Sequence, residues 1–427
     1  MVVSASALGR GQAAPSERIH LGVIGLGAQG SSVMRGFLTL PEARVVALCD
    51  VDEKHYRDRP WGEGALYGLI PAQERVAEYY ARKDETAAGG PRVYTDFREL
   101  CAHADLDAVV VGTPDHWHAL CVLEALKRGK DVYCEKPLTH WFREGQRVYR
   151  EVAKRKAVFQ TGSQQRSDQR FRHAVELVRN GHIGEVERVE VGLPPGYAKC
   201  QGDTAVEAPP DHLDYEFWCG PSPKLPYMRA RHHRWWRGHT AYGGGTLMDW
   251  IGHHNDIAHW GLGLDGSGPV EVEAVNWVYI DTDIYNTPRQ FEIRCTYPTG
   301  VTSTISSRNR LGTKWIGDEG WVFVSRSGIQ ASDERWTGPD FDAGPIKVYD
   351  SPSHPQNFLD SIKARKDCVA PAETAHRSIT PGHLGYVSQA LRRALRWDAE
   401  REVVPGDEEA NRLLNRVDYR APWIFEG

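Results

Sequence analysis

Ile19-His20-Leu21-Gly22-Val23-Ile24-Gly25-Leu26-Gly27-Ala28-Gln29-Gly30 decides the fold of this chain. A short run of β-formers ends in a G-x-G-x-x-G pattern and opens into helical spacing through Leu40. That context separates the motif from an ordinary glycine-rich turn. The glycines permit a tight turn and let backbone approach a pyrophosphate at a helix N-terminus. Gly25, Gly27, Ala28, Gln29 and Gly30 are therefore candidate dinucleotide contacts. Asp50 follows the next strand, Arg44–Cys49, twenty positions after Gly30. A carboxylate there accepts from the adenosine ribose hydroxyls and repels a 2′-phosphate, so NAD is expected in preference to NADP.

Working outward, short apolar runs alternate with helical spacing. Ala108–Val111 is a strand followed by Gly112-Thr113-Pro114-Asp115-His116-Trp117-His118, and Asp131–Cys134 is a strand followed by Glu135-Lys136-Pro137. Helical spacing appears at Glu74–Arg82, Phe97–Ala102 and His118–Lys127. Strands alternating with helices predict a parallel sheet, whose ligands bind beyond the strands' carboxyl ends. Thr113, Pro114, Asp115, His116, His118, Glu135 and Lys136 fall there and become cofactor-contact candidates. A lysine so placed can bind the cofactor ribose and donate a hydrogen bond to a substrate oxygen. The sharp turn needed to aim it predicts a cis Lys136–Pro137 peptide. Between Asp52 and Gly90, a stretch containing Trp61 reads as an insertion on the second crossover.

After Gly184 the pattern changes. Val186–Val191, Val270–Ile280, Phe291–Tyr297 and Val301–Ser307 are strand-like, the last two joined at Pro298-Thr299-Gly300. Strands in succession predict a large, open, mainly antiparallel sheet. Its second face needs helices or another subunit, so Trp277, Val278 and Tyr279 suggest a homodimer or homotetramer. Arg170–Arg179, Phe358–Arg365 and His383–Arg396 read as helices. The expected organisation is a tail at 1–17, a Rossmann domain at 18–160, an α/β substrate and oligomerisation domain at 161–352, and C-terminal helices at 353–427 that pack back on the Rossmann domain. The fold class is thus α/β.

The net charge of −5 gives no hint of a nucleic-acid or anionic-membrane partner. No apolar run approaches the ~18 residues that span a bilayer. The eight cysteines show no CxxC or zinc-like spacing and read as buried free thiols. Met1–Ala14, rich in small residues, reads as a disordered tail or the remnant of an export signal, leaving periplasmic and cytoplasmic locations both open.

Gly243-Gly244-Gly245-Thr246-Leu247-Met248-Asp249-Trp250-Ile251-Gly252-His253-His254-Asn255-Asp256 adds a further motif. On a helix, Asp249, His253 and Asp256 fall at i, i+4 and i+7 on one face. A histidine backed by a carboxylate is a positioned general base, although a lone helical histidine is more often structural.

GLGAQG, TPDHWH, EKP and GGGTLMDWIGHH, in that order, resemble the Gfo/Idh/MocA oxidoreductases from about Ile19 onward. The resemblance implies a Rossmann domain, an α/β domain with an open sheet, and Lys136, Asp249 and His253 at the nicotinamide with Gln165 nearby. Ile251 departs from the family's usual glycine. Phe217–Pro221, Asp318–Trp321 and Asp407–Asn411 look like a branch that often carries a twin-arginine export signal, which favours the export reading of Met1–Ala14.

Arg166, Tyr197, Trp235, Trp236, His239, Tyr242 and His254 are candidate substrate contacts. Together with Trp250 and Trp260 they offer flat aromatic faces beside hydrogen-bonding groups, which suits a carbohydrate, although each tryptophan could equally be core. No metal is expected from the six histidines between His232 and His259.

The resemblance implies hydride transfer between tightly held NAD and a secondary alcohol of a sugar, polyol or glycoside. His253 would take the hydroxyl proton, Lys136 would donate to the developing oxyanion, and Asp249 would orient His253. Two rivals remain. One is a redox-neutral NAD-dependent glycoside hydrolase acting through a transient keto-sugar; a hydrolase branch that lacks the lysine makes Lys136 a point against it. The other is a non-catalytic NAD-binding protein, opposed by the presence of Lys136, Asp249 and His253 together.

Overall fold

The β-branched runs that the sequence marks as strands are the floor of the first domain. In the computed structural model, which describes residues 18–56, 65–83, 90–338 and 340–426, they pair into one parallel sheet. The tail at 1–17 and Trp61 lie outside the described residues. The strands are β1 (Ile19–Ile24), β2 (Ala43–Cys49), β5 (Arg92–Tyr94), β6 (Ala108–Val111), β7 (Asp131–Cys134) and β8 (Phe159–Thr161), with a two-strand ladder, β3 (His55–Tyr56) and β4 (Leu66–Tyr67), after β2. The order is β5-β2-β1-β6-β7-β8. It reverses between β1 and β6, and the crevice at such a switch point is where ligands of open α/β sheets bind.

Glycine is required where that crevice begins. Gly25 has φ +85°, and a Cβ on Gly30 would meet the Gly25 carbonyl oxygen at 1.8 Å. Over Gly27, by contrast, a Cβ would meet nothing within 4 Å, so the turn is open on the side a phosphate approaches.

The second sheet comprises β9 (Val186–Gly192), β10 (Glu271–Val278), β11 (Gln290–Thr296), β12 (Thr302–Ser306), β13 (Gly312–Gly317), β14 (Trp321–Ser325), β15 (Gly328–Ala331) and β16 (Leu395–Arg396). Its order is β15-β14-β13-β9-β12-β11-β10-β16, antiparallel except for the β9–β12 pair. Val189, Val191, Phe291, Ile293, Ile305, Trp315 and Val322 face inward and are buried. The helices Gln169–Arg179, Gly245–Leu262 and Ala372–Leu391 pack against this sheet.

Two sequence expectations need correction here. The outer face is not a bare apolar surface. Arg188 pairs with Glu190 and Arg294 with Glu292, while Arg310 covers Phe323 and Lys314 covers Trp321. This is the polar-out alternation of a half-solvated antiparallel sheet. Trp277 turns inward onto Tyr386, leaving only Val278 and Tyr279 exposed among the three β-formers named. Second, the expected helix His383–Arg396 ends at Leu391. Arg392 is left-handed at φ +55°, and Leu395–Arg396 turns back to pair with β10.

Helix His354–Ala364 packs on the first domain, with Phe358 edge-on to Phe37 and Tyr133. The Lys136–Pro137 peptide is cis, as expected. All eight cysteines are free, and all but Cys200 are buried.

Arg166 is also structural, against the expectation that it contacts substrate. Its guanidinium lies 2.7 Å from Asp256 Oδ2 and 2.7 Å from Asp265 Oδ1, stacked 5.0 Å over Trp260. Asp256 is therefore committed to this ion pair. Removing one member of a buried pair typically costs ~3–5 kcal/mol because the other charge is stranded. Arg166→Met is expected to lower the thermal midpoint measured by calorimetry while leaving NAD affinity near wild type. A raised KM with an unchanged midpoint would return Arg166 to the substrate site.

Candidate active site

The carboxyl ends of β1, β2, β6 and β7 open into one cavity of about 920 Å³, closed on its far side by the second half of the chain. Gly25, Gly27, Ala28, Gln29, Asp50, Thr113, Pro114, Asp115, Glu135, Lys136 and Gln165 all line it. Gly30 does not; it lies beneath Gly25, where it lets the helix pack on the turn.

Asp50 accepts from the backbone N–H of Leu26 at 2.6 Å and of Asp52 at 3.0 Å, and burial raises its carboxyl to about 6. This fixes the carboxylate beside the glycine turn, at the place where an adenosine ribose would lie. The open face over Gly27, the helix Ala28–Leu38 without a side-chain cap, and Asp50 together fit a dinucleotide.

His116 and His118 sit in the same helix turn but face the other way. The His116 ring nitrogens lie 2.9 Å from Trp218 O and 3.2 Å from Tyr242 O. Those of His118 lie 2.7 Å from Pro137 O and 3.0 Å from Thr113 O. Both rings are buried, and burial lowers each to about 4. They brace neighbouring loops and do not reach the cavity, which corrects their assignment as cofactor contacts.

Lys136 leaves the end of β7 and reaches the first turns of helix Gly245–Leu262. Its Nζ donates to Asp249 Oδ1 at 2.6 Å and to the Asp249 carbonyl at 2.8 Å. Arg237 Nε lies 3.0 Å from the same Oδ1. Burial alone would raise Asp249, but Arg237 and Lys136 outweigh it and hold the carboxyl well below its ordinary range. Asp249 is therefore the anchor of two cations and not the orienter of His253, a correction to the sequence reading.

His253, one turn further along the helix, lines the cavity, and its Nδ1 has no hydrogen-bond partner. Burial, reinforced by the charges of Lys136 and Arg326, drops it well below 6.5. The imidazole is thus neutral at neutral pH. In the amide orientation that satisfies its neighbours, Gln165 donates to the His253 carbonyl at 2.6 Å and accepts from Arg326 Nε at 3.1 Å. Asp115, whose Oδ2 has no partner, is raised to about 7 by burial.

The aromatic candidates divide. Tyr197, Trp236 and Trp250 line the cavity, with Arg237 stacked 4.1 Å over Trp236 and Arg326 4.9 Å over Trp250. Trp235, His239, Tyr242 and His254 do not. Trp235 packs edge-on to Tyr197, and His239 Nδ1 accepts from Ala241 N at 3.1 Å. Tyr242 is fully buried and donates to Pro223 O, while His254 Nδ1 lies 2.6 Å from Gly192 O. Each is a packing residue of its own wall.

Arg326 and the Asp52–His55–His233 group on the cavity wall are absent from the sequence reading. Arg326 is a lone arginine in the turn after β14 and carries no motif. Asp52-x-x-His55 does stand immediately after Asp50, but its third member is remote in sequence.

A family profile described as "Oxidoreductase family, NAD-binding Rossmann fold" matches residues 19–163, and one described as "Oxidoreductase family, C-terminal alpha/beta domain" matches 170–425. An inositol 2-dehydrogenase of Burkholderia cenocepacia is 33% identical over 168 residues, 39% of this chain and only 43% of the relative. A glycosyl hydrolase family 109 protein of Streptomyces niveus is 33% identical over 131 residues, 29% of this chain and 22% of the relative. The crystal structure of the WlbA dehydrogenase from Bordetella pertussis, in complex with NADH and UDP-GlcNAcA, shares the fold. It aligns with a TM-score of 0.63 over 89% of this chain and 99% of that one, at 16% identity. With a dinucleotide cleft built on Gly25–Asp50 and profile matches running through both halves, the chain belongs to the Gfo/Idh/MocA oxidoreductase family.

Proposed function

We propose that this protein oxidises a secondary alcohol of a sugar, polyol or glycoside with NAD as hydride acceptor. The observation that carries the reading is the ammonium of Lys136, held by Asp249 one helical turn from a neutral His253, in a cavity continuous with the dinucleotide groove. Bound NAD supplies the acceptor for the hydride leaving the carbinol carbon.

The chain's own groups manage the oxygen. Neutral His253 lines the cavity and can take the hydroxyl proton on its ring as the C–H bond breaks, leaving a ketone and an imidazolium. Lys136 donates to the oxygen on which negative charge develops, and its fixed position lowers the reorganisation needed at that moment. Trp236 and Trp250 offer flat faces to a sugar ring, beside the donors of Arg237, Arg326 and Gln165. Proton NMR of inositols, sugars and glycosides incubated with enzyme and stoichiometric NAD tests the reading. A keto product is expected; free sugar released at catalytic NAD would instead support the hydrolase chemistry named for the Streptomyces niveus relative.

Two outcomes follow from the geometry. His253→Ala is expected to cut turnover by ~10²–10⁴-fold and leave NAD affinity nearly unchanged. Asp249→Asn, which strands Lys136 and Arg237, should resemble Lys136→Ala in losing both turnover and cofactor affinity; behaviour like His253→Ala would restore Asp249 as the histidine's orienter. Steady-state kinetics and NAD titration read both.

A base must be neutral to accept a proton. Because its folded pKa is depressed, His253 stays neutral as pH falls through 6.5, the ordinary histidine value, and becomes charged only below its lowered pKa. An NMR titration of its ring C–H, assigned by loss of the signal in His253→Ala, should show a midpoint below 6.5. A midpoint at or above that value contradicts the site electrostatics.

Asp50→Ala should weaken NAD binding and relax discrimination against NADP, measured by paired titrations. Tighter binding of NADP than NAD by the wild type would overturn the cofactor assignment.

A further inference from the structure

Charge on the cavity wall does not balance within the protein. Lys136 and Arg237 share Asp249, Arg170 pairs with Asp168 at 2.6 Å, and His55 and His233 face Asp52. Arg234 and Arg326 also line the cavity, and neither has a carboxylate within ion-pair distance among the described residues. Arg234 follows His233, whose ring lies on Asp52, so its backbone belongs to the wall nearer Asp50. Arg326 stands beside the group assigned the proton.

The Arg326 guanidinium lies 4.9 Å over the Trp250 ring, and the same ring lies 5.5 Å from that of His253. Guanidinium and imidazole are thus neighbours of one indole. The Arg326 Nε donates to Gln165 at 3.1 Å, and Gln165 in turn donates to the His253 carbonyl at 2.6 Å. The turn that presents Arg326 is itself fixed. Ser325 Oγ accepts from Ser327 N at 3.2 Å, and the Arg326 carbonyl accepts from Arg170 Nη1 at 2.8 Å. What remains free is the outer edge of the guanidinium, whose two Nη atoms have no hydrogen-bond partner among the described residues.

A guanidinium is always charged. Asp249 and Glu135 favour that charge from a distance, but burial outweighs them and lowers the Arg326 pKa. Neither carboxylate is at its disposal: Asp249 holds Lys136 and Arg237, and Glu135 accepts from Gln164 at 2.9 Å. A neutral sugar closing over Arg326 removes water from the charge and returns only neutral acceptors. A carboxylate returns two charge-assisted hydrogen bonds to the free edge.

We propose that the substrate is an acidic sugar, a uronic or aldonic acid or a glycoside of one, whose carboxylate is held by Arg326 while a ring hydroxyl reaches His253 and Lys136. This rests on the alcohol oxidation proposed above and names the class of alcohol. The placement of both groups around Trp250 suits a single sugar ring that carries the carboxylate at one end and the reacting hydroxyl at the other. A carboxylate fits better than a phosphate monoester, whose charge of about −2 exceeds what one guanidinium neutralises beside Glu135. Arg326 is also one of the cations that keep His253 uncharged, so a carboxylate seated on it eases proton uptake only when the acid is bound.

The test titrates the full chain, loaded with NAD, by calorimetry against matched compounds. D-Glucuronate is compared with its methyl ester, D-galacturonate with D-galactose and D-gluconate with sorbitol, while D-glucose 6-phosphate probes the dianion. Formation of NADH from each is followed in parallel. At least one acid is expected to bind roughly 10–100-fold more tightly than its neutral counterpart. Arg326→Gln should abolish that preference, acting on KM more than on kcat, and leave NAD affinity and the thermal midpoint unchanged. Arg326→Lys, which keeps the charge without the fork, should recover part of the preference. A wild type that prefers no acid to its neutral counterpart overturns the proposal. So does a preference that survives in Arg326→Gln, or one for the phosphate over every acid. Loss of NAD affinity in Arg326→Gln also overturns it, by assigning the guanidinium to the cofactor's pyrophosphate. Binding of an acid that depends on Arg326 but yields no NADH would uphold the carboxylate site and overturn the alcohol oxidation instead.

Discussion

The contact between Lys136 Nζ and Asp249 Oδ1, at 2.6 Å, ties the two halves of the molecule together at their most consequential point. Lys136 belongs to the parallel sheet and Asp249 to the helix that backs the antiparallel one. A largely buried ammonium is costly to leave unpaired, and a largely buried carboxylate equally so. Neither half can therefore present its residue without the other. The ammonium is also positioned by the Asp249 carbonyl, so its direction as well as its charge is set. Arg237, brought in by a third segment, shares the same carboxylate.

This allocation of charge determines the acid–base character of the site. Asp249 still favours an imidazolium at His253, but burial and the nearby cations outweigh it. Lys136 and Arg326 then act on a desolvated ring in the same direction as burial, keeping it uncharged. A carboxylate–histidine dyad would favour storing the proton on the ring. The arrangement here favours a ring that accepts the proton only as substrate charge changes and gives it up readily afterwards. Asp115, with a buried, unpartnered oxygen and a carboxyl raised to about 7 by burial, belongs to the same cavity wall.

The glycine turn, Asp50, Lys136 and His253 were legible in the sequence because each is tied to a strand end or a helical spacing, and regular elements convert spacing into direction. The errors have the same root. His116 and His118 occupy the motif at the sheet edge, yet adjacent helix positions point about 100° apart, and theirs point into packing. His254 differs from His253 by one position and reaches Gly192 O instead of the cavity. Tyr242 and Trp235 were drawn in by proximity in sequence to a real site, which carries no directional information in irregular chain. Asp249 was placed correctly but given the wrong partner, because an i+4 neighbour on the same helix was visible in sequence and a lysine 113 positions away was not.

Strands β13 to β15 were missed, although β14 is a buried run of β-formers, and Arg326 in the turn after it went with them. The site thus draws on two kinds of structure. Lys136, Asp249 and His253 stand on a strand end and a helix, where position is fixed by backbone hydrogen bonds. Trp236 and Arg237 come from the 3₁₀ turns of His233–Gly238, which touch helix Gly245–Leu262 and are joined to it by the Arg237–Asp249 pair but belong to no sheet or long helix themselves. Irregular chain keeps a precise shape only through contacts made elsewhere. Here those contacts are the His233 ring on Asp52 and the Gly238 carbonyl, which accepts from the backbone of Asn286 and the hydroxyl of Thr287. Groups to which the proposed reaction assigns the proton sit on the rigid frame, and groups that shape the cavity sit on an anchored loop. In the proposed reaction, changes in that loop can therefore alter which ring is admitted without disturbing the ammonium and imidazole assigned to its hydroxyl.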